Sequence, residues 1–195
     1  MRPSEQRFRS AFADSYADVV RFARRRTDPD RAEDIAADTF LTAWRRIADL
    51  PHDPGDARAW LFGIARHCLL NDRRAERRRD GLVVRLLDVE AAPPLPDAEA
   101  DTAILRADLA TAWKHLSATD QEVLALVVFE RLTASQVGAV LDVAPGTVRV
   151  RLSRARAALR RHLESPTPHR EAGARSISGA VTPTAISPTT REVLP

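Results

Sequence analysis

The segment "DVEAAPPLPDAEAD", residues 88–101, constrains the fold of this chain more than any other stretch. Each of its three prolines fixes φ and removes a backbone donor, so no helix runs through them. On both sides the apolar residues recur at steps of three and four, the period of one helix face. No stretch shows the strict alternation of a half-buried strand. The pattern predicts an all-α chain of two small helical domains, 1–80 and 104–164, with residues 81–103 as an acidic linker. After Leu163 the sequence is rich in Ser, Thr, Pro and Gly without an apolar face, so 165–195 reads as a disordered tail.

A length of 195 residues fits this division, but each core would be small, and docking on a larger partner would help to stabilise both. Cys68 is the only cysteine, which excludes an intramolecular disulfide and a cysteine-based zinc site. Beside Ile64, Ala65, Leu69 and Leu70 it reads as a small buried hydrophobe. The start, "MRPSEQRFRS", lacks the apolar core of a signal peptide, and the longest apolar run, "LALVVF" at 124–129, is too short to span a bilayer. The expectation is a cytoplasmic protein without membrane insertion.

Phe8, Phe12, Tyr16, Val19, Val20 and Ala23 form the apolar face of a first helix. Asp28 before Pro29 is a cap and first-turn pair for a second, which buries Ile35, Thr39, Phe40, Ala43 and Ile47. The opposite side of that helix shows Asp34, Asp38, Thr42, Arg45 and Arg46. A turn containing Pro51, Pro54 and Gly55 precedes a third helix, "DARAWLFGIARHCLLNDRRAERRR". Beyond the prolines, periodicity resumes at Ile104, Leu105, Leu109, Ala112, Trp113 and Leu116, and Ser117 or Thr119 can cap the helix "DQEVLALVVFERL".

The sharpest motif lies in the second half. "TASQVGAVLDVAPGTVRVRLSRARAAL" has the layout of a helix-turn-helix: Thr133 caps a short helix, Asp142 to Ala144 turn, and Pro145 and Gly146 open a longer helix, with Thr147 as an alternative cap. Arginines 149, 151, 154, 156, 160 and 161 project from that helix with no acid among them, while Val148, Leu152, Ala155 and Leu159 make its buried stripe. Lys114 is the single lysine of 30 basic residues, and arginine's planar fork suits phosphate oxygens and guanine edges. Thr147, Arg149, Val150, Arg151, Ser153 and Arg154 are therefore the candidates for duplex DNA. In the first half, Trp60 and Phe62 run into the cluster Arg73, Arg74 and Arg77, and rings beside cations are what single-stranded DNA uses. Taken alone, those two rings read as core, and His67 as an ordinary solvated or hydrogen-bonded histidine.

The order of "AEDIAADTFLTAW", "AWLFGIARHCLLNDRR" and "LSATDQEVLALVVFERLTASQVGAVLDVAPGTVRVRLSRARAAL" resembles the extracytoplasmic-function sigma factors of the sigma-70 family, promoter-recognition subunits of bacterial RNA polymerase. The resemblance runs from Phe8 to Leu163 apart from the linker. It implies that residues 31–47 dock on the clamp helices of the polymerase's largest subunit through Asp34, Asp38, Thr42, Arg45 and Arg46. It implies that 60–79 melt and read a minus-ten element through Trp60, Phe62, His67, Asn71, Arg73, Arg74 and Arg77, with a base flipped into a pocket near His67. Residues 145–156 would read the minus-thirty-five element as duplex, with the second domain on the flap region of polymerase and the linker threaded into the nucleic-acid channel. An anti-sigma factor that covers the same surfaces is a further implied partner. The chain departs from the family at His67, commonly asparagine, and at Gly63, commonly basic, which points to a different base preference in the minus-ten element.

No nucleophile–base pairing, metal-ligand spacing or phosphate-binding glycine loop is present, so neither catalysis, metal nor cofactor is expected. The rival reading is a stand-alone dimeric helix-turn-helix regulator. That protein would have no use for an exposed docking helix and an aromatic–arginine segment ahead of the linker.

Overall fold

Local capping chemistry sets the helix starts in this protein, which we describe from a computed structural model. It describes residues 2–75 and 99–164, with side chains for 2–72 and 105–164. Helix α1 (Pro3–Arg24) ends in the basic 24–27 stretch, and α2 (Pro29–Arg45) starts where the Asp28 carboxylate accepts the Arg31 backbone N–H at 3.0 Å. A single 3-10 turn, Ile47–Asp49, leads to α3 (Pro54–Ala75). Helix α4 is Glu99–Lys114, and α5 (Ala118–Val128) is capped by Ser117, the first of the two expected residues. Thr133 caps α6 (Ala134–Leu141) in a reciprocal box with Gln136, and α7 is Pro145–Glu164. Helix α7 begins at Pro145, so Thr147 lies within its first turn and is not the cap.

All the described secondary structure is helical, as expected. Helix α4 begins at Glu99, inside the stretch read as linker up to residue 103; past Pro96 nothing opposes the helix, and Glu99 and Asp101 suit its positive N-terminal end. The remainder of that linker, Arg77 and the 165–195 tail lie outside the described residues. Helices α1, α2 and α3 pack on one another, while α7 collects α4, α5 and α6.

The two expected helical clusters are present, and their buried residues are contiguous. One contiguous buried cluster joins Val19, Phe22, Phe62, Ile64 and Leu69 of the first bundle to Val123, Leu126, Val137, Val140 and Val148 of the second. A smaller cluster around Trp113, Leu116, Leu124 and Ala155 fixes α4 and α5 on α7. Helix α3 lies directly against α6.

Candidate nucleic-acid interface

The geometry of the helix-turn-helix starts from a backbone constraint. Asp142 closes α6 in the left-handed region, φ 55°, and the Val143 N–H returns to the Gly138 carbonyl at 3.0 Å. A Cβ on Gly138 would stand 2.6 Å from the Val143 carbonyl oxygen, so only glycine admits a turn this tight. The turn sets α7 against α6 with Val148 and Ala155 fully buried. Burying that stripe leaves the other side of α7 outward: Thr147, Arg149, Val150, Ser153 and Arg154 are exposed, and Arg151 is half-buried. Val150, an apolar side chain half exposed among the arginines, suits a thymine methyl.

The expected minus-ten residues on α3 separate into different environments. His67 is exposed and Trp60 half-buried, and both line a groove with Gly63, Arg46 and Pro51. The Arg46 guanidinium lies 5.8 Å from the Trp60 ring. Phe62 is a correction: it is fully buried, stacked on Phe22 at 5.0 Å with the Arg58 guanidinium 5.0 Å from its ring, so it has no face for a base. Asn71 is exposed on a second groove, between α2 and α3. Arg73 and Arg74 lie in the last turn of α3, and Arg77 lies outside the described residues.

Helix α2 presents Asp34, Asp38, Thr42 and Arg45 along that second groove, together with Leu41, an exposed leucine the sequence reading passed over. Arg46 turns away from this set, its Nε donating to Asp49 at 3.0 Å. Thr39, whose side chain is buried, donates to the Ile35 carbonyl at 2.6 Å and so spends its hydroxyl inside its own helix. Cys68 is half-buried and burial pushes its thiol up, away from thiolate chemistry.

Comparison with known proteins decides the family. Sigma-70 region 2 matches residues 12–79 and Sigma-70 region 4 matches 106–159. The ECF RNA polymerase sigma factor SigL of Mycobacterium tuberculosis (strain ATCC 25618 / H37Rv) is 35% identical over 79% of this chain and 88% of its own length. This chain belongs to the extracytoplasmic-function sigma factors. A probable RNA polymerase sigma factor, RfaY of Xanthomonas campestris pv. campestris, is 36% identical over 70% of the chain and 35% of its own length. In fold, the sigma factor is similar to RpoE of Bartonella quintana, solved with the anti-sigma factor NepR, with a TM-score of 0.57, 22% identity and coverage of 83% of this chain and 99% of that one. As a sigma factor it binds RNA polymerase and promoter DNA and is not an enzyme. Helices α1–α3 are its region 2, and α4–α7 its region 4. No helix among the described residues is long and apolar enough to cross a membrane.

Between the regions lies a set of charges that periodicity alone does not reveal. Arg25 Nη1 donates to Glu130 Oε1 at 3.1 Å, and Arg26 Nη1 stands 3.9 Å from the same oxygen. Arg58 Nη1 donates to the Glu130 carbonyl at 2.7 Å while its Nε donates to Asp18 at 2.5 Å. Arg66 Nε donates to Glu122 at 3.0 Å. Burial pulls the Arg26 guanidinium down to about 10, which leaves it protonated at neutral pH, and burial pushes the Glu130 carboxyl above its ordinary value against the pull of Arg25 and Arg26. A signal existed in the sequence: "RRRT" closing α1, and a glutamate ending the apolar run "LALVVFE", are charges placed where a helix meets its core.

Proposed function

We propose that this sigma factor directs polymerase to two-part promoters, with α7 reading a minus-thirty-five element as duplex and α3 reading a melted minus-ten element. The single observation that supports it most is the outward face of α7: Thr147, Arg149, Val150, Ser153 and Arg154 exposed behind a helix-turn-helix turn that only Gly138 permits. Such a helix enters the major groove by its N-terminal end. There, Arg149 is the candidate for a guanine edge, and the arginines further along α7 are placed for phosphates. On α3, His67 and Trp60 flank the groove that would receive an unstacked base, and the imidazole brings one donor and one acceptor to it.

Core docking falls to α2. Asp34, Asp38, Thr42 and Arg45 share one exposed groove with Leu41, which gives a mixed-charge rim around an apolar contact. The clamp helices of the largest subunit are the partner this face fits, and region 4 would sit at the flap. An anti-sigma factor is a further proposed partner, by analogy with the RpoE–NepR complex.

The double substitution Asp34→Arg with Asp38→Arg tests the docking assignment. Core polymerase affinity should fall at least about tenfold, while binding of duplex through α7 stays at the level of the unsubstituted protein. Unchanged core affinity would remove α2 from the interface.

A further inference from the structure

The first bundle holds a further cleft, of about 470 Å³, between α1 and the turn that leads into α3. It shares Pro51 alone with the groove of Trp60 and His67, and nothing with the groove on α2, so it is a separate site. Its two walls differ in chemistry. Helix α1 supplies Gln6, Arg7, Ser10, Asp14 and Ser15, which recur along one helix face. The opposite wall is Leu50, Pro51 and Pro54. One side offers hydrogen bonds and the other flat apolar surface, a slot suited to a ring with polar edges.

Three observations distinguish this cleft from an ordinary seam between packed elements. Ser15 is only 4% exposed, yet its hydroxyl has no hydrogen-bond partner among the described residues. A helical hydroxyl can reach the carbonyl four residues back, as that of Thr39 does, so Ser15 keeps a buried donor available at the cleft. Asp14 is exposed and likewise makes no ion pair or hydrogen bond among those residues. Arg7 Nη1 donates to His52 Nδ1 at 2.7 Å, and neither side chain meets a carboxylate. Arg21, Arg24 and Arg25, at the other end of α1, each do. The cleft therefore carries an unneutralised cation at one end and an unneutralised carboxylate at the other.

We propose that this cleft binds a guanine nucleotide, with its phosphate on Arg7 and His52 and its base between α1 and the prolines. Arg7 and Asp14 are seven residues apart, about 10 Å along a helix axis, close to the span of a nucleotide from phosphorus to base edge. The guanidinium fork matches phosphate oxygens. At the far end, guanine N1–H and N2–H are two neighbouring donors, and an ionised carboxylate is an acceptor of both. Adenine has a lone pair at N1 and meets the same carboxylate with repulsion. Gln6, Ser10 and Ser15 remain for the base carbonyl and the ribose hydroxyls. A free nucleotide and an unpaired guanine of a melted strand offer this same chemistry.

Calorimetric titration of the full chain with GMP, AMP and guanosine tests the site. A single GMP should bind per chain, and AMP and guanosine should each bind at least about tenfold more weakly. Arg7→Ala should cut GMP affinity about tenfold and leave that of guanosine as it was, while Arg7→Lys restores part of the loss. Asp14→Asn should erase the preference for GMP over AMP and leave thermal unfolding unchanged, because Asp14 is exposed. His67→Ala, on the other groove, should not alter GMP binding. Competition by a thymidine oligonucleotide carrying one dG separates the two sources. Displacement of GMP that depends on Asp14 assigns the site to the melted strand, and no displacement assigns it to the free nucleotide. Absence of GMP binding, equal affinity for GMP and AMP, indifference to Arg7→Ala and Asp14→Asn, or loss of binding in His67→Ala overturns the proposal.

Discussion

At the scale of single residues, the fold and the site depend on a few positions with no substitute. Gly138 is one, because its missing Cβ is what lets the Val143 carbonyl close the turn. Gly138→Ala should cost about 1–3 kcal/mol in urea unfolding, since the 2.6 Å approach involves backbone that cannot rotate away. His67 is instead a position proposed to set specificity. Exposed and beside Trp60, it contributes little to packing, so His67→Asn should leave stability within about 0.5 kcal/mol while changing base preference in minus-ten single strands. Selection from a degenerate oligonucleotide pool measures that change, and an unchanged preference removes His67 from the pocket. Phe62 shows the limit of reading residues by type. An aromatic next to a tryptophan and upstream of arginines has the composition of a stacking site, but helix phase sends it to Phe22 and the interior. The reading of Phe62 by itself as core is the one that fits, and its helix spacing from Ala65 and Leu69, both buried, supports it.

At the scale of elements, period and caps located most helices. Asp28, Ser117 and Thr133 each cap the helix their position implied, because a side-chain oxygen before an apolar-periodic run has one job to do. The start of α4 was misplaced by several residues, since proline marks where a helix cannot be without marking where the next begins. Helix α7 divides cleanly into a buried stripe and an arginine face, and that division makes its own prediction. Arg149→Ala should weaken minus-thirty-five duplex selectively, by about 1–3 kcal/mol against the best base pair at one position. Arg160→Ala, at the far end of the same helix, should weaken all duplexes alike and flatten the salt dependence. Electrophoretic or fluorescence titrations across salt separate the two, and a uniform loss for Arg149→Ala would make it a phosphate contact. On α2, Asp34, Asp38 and Arg45 were visible as an exposed polar face, whereas Leu41 was not, because a leucine on a helix is ordinarily assigned to core.

At the scale of the whole molecule, local sequence patterns carried least. Periodicity says which face of a helix is buried and is silent on which partner buries it, so Val140 could be placed in a core but not against α3. The shared core and the Glu130 charge cluster join residues distant in the chain, Arg25 and Glu130 being 105 positions apart, a separation no window of sequence spans. The helices proposed to read DNA, α3 and α7, and the helix proposed to dock on polymerase, α2, nonetheless sit in regions whose family is established. Transcription in vitro from a library of genomic promoter fragments, with core polymerase alone and with the sigma factor added, tests that whole account most directly. The account predicts new start sites only when both are present, each preceded by the same pair of separated elements, and their loss with Asp34→Arg and Asp38→Arg. Starts that do not depend on the added chain, or binding of the chain alone to symmetric duplex sites without polymerase, would contradict it.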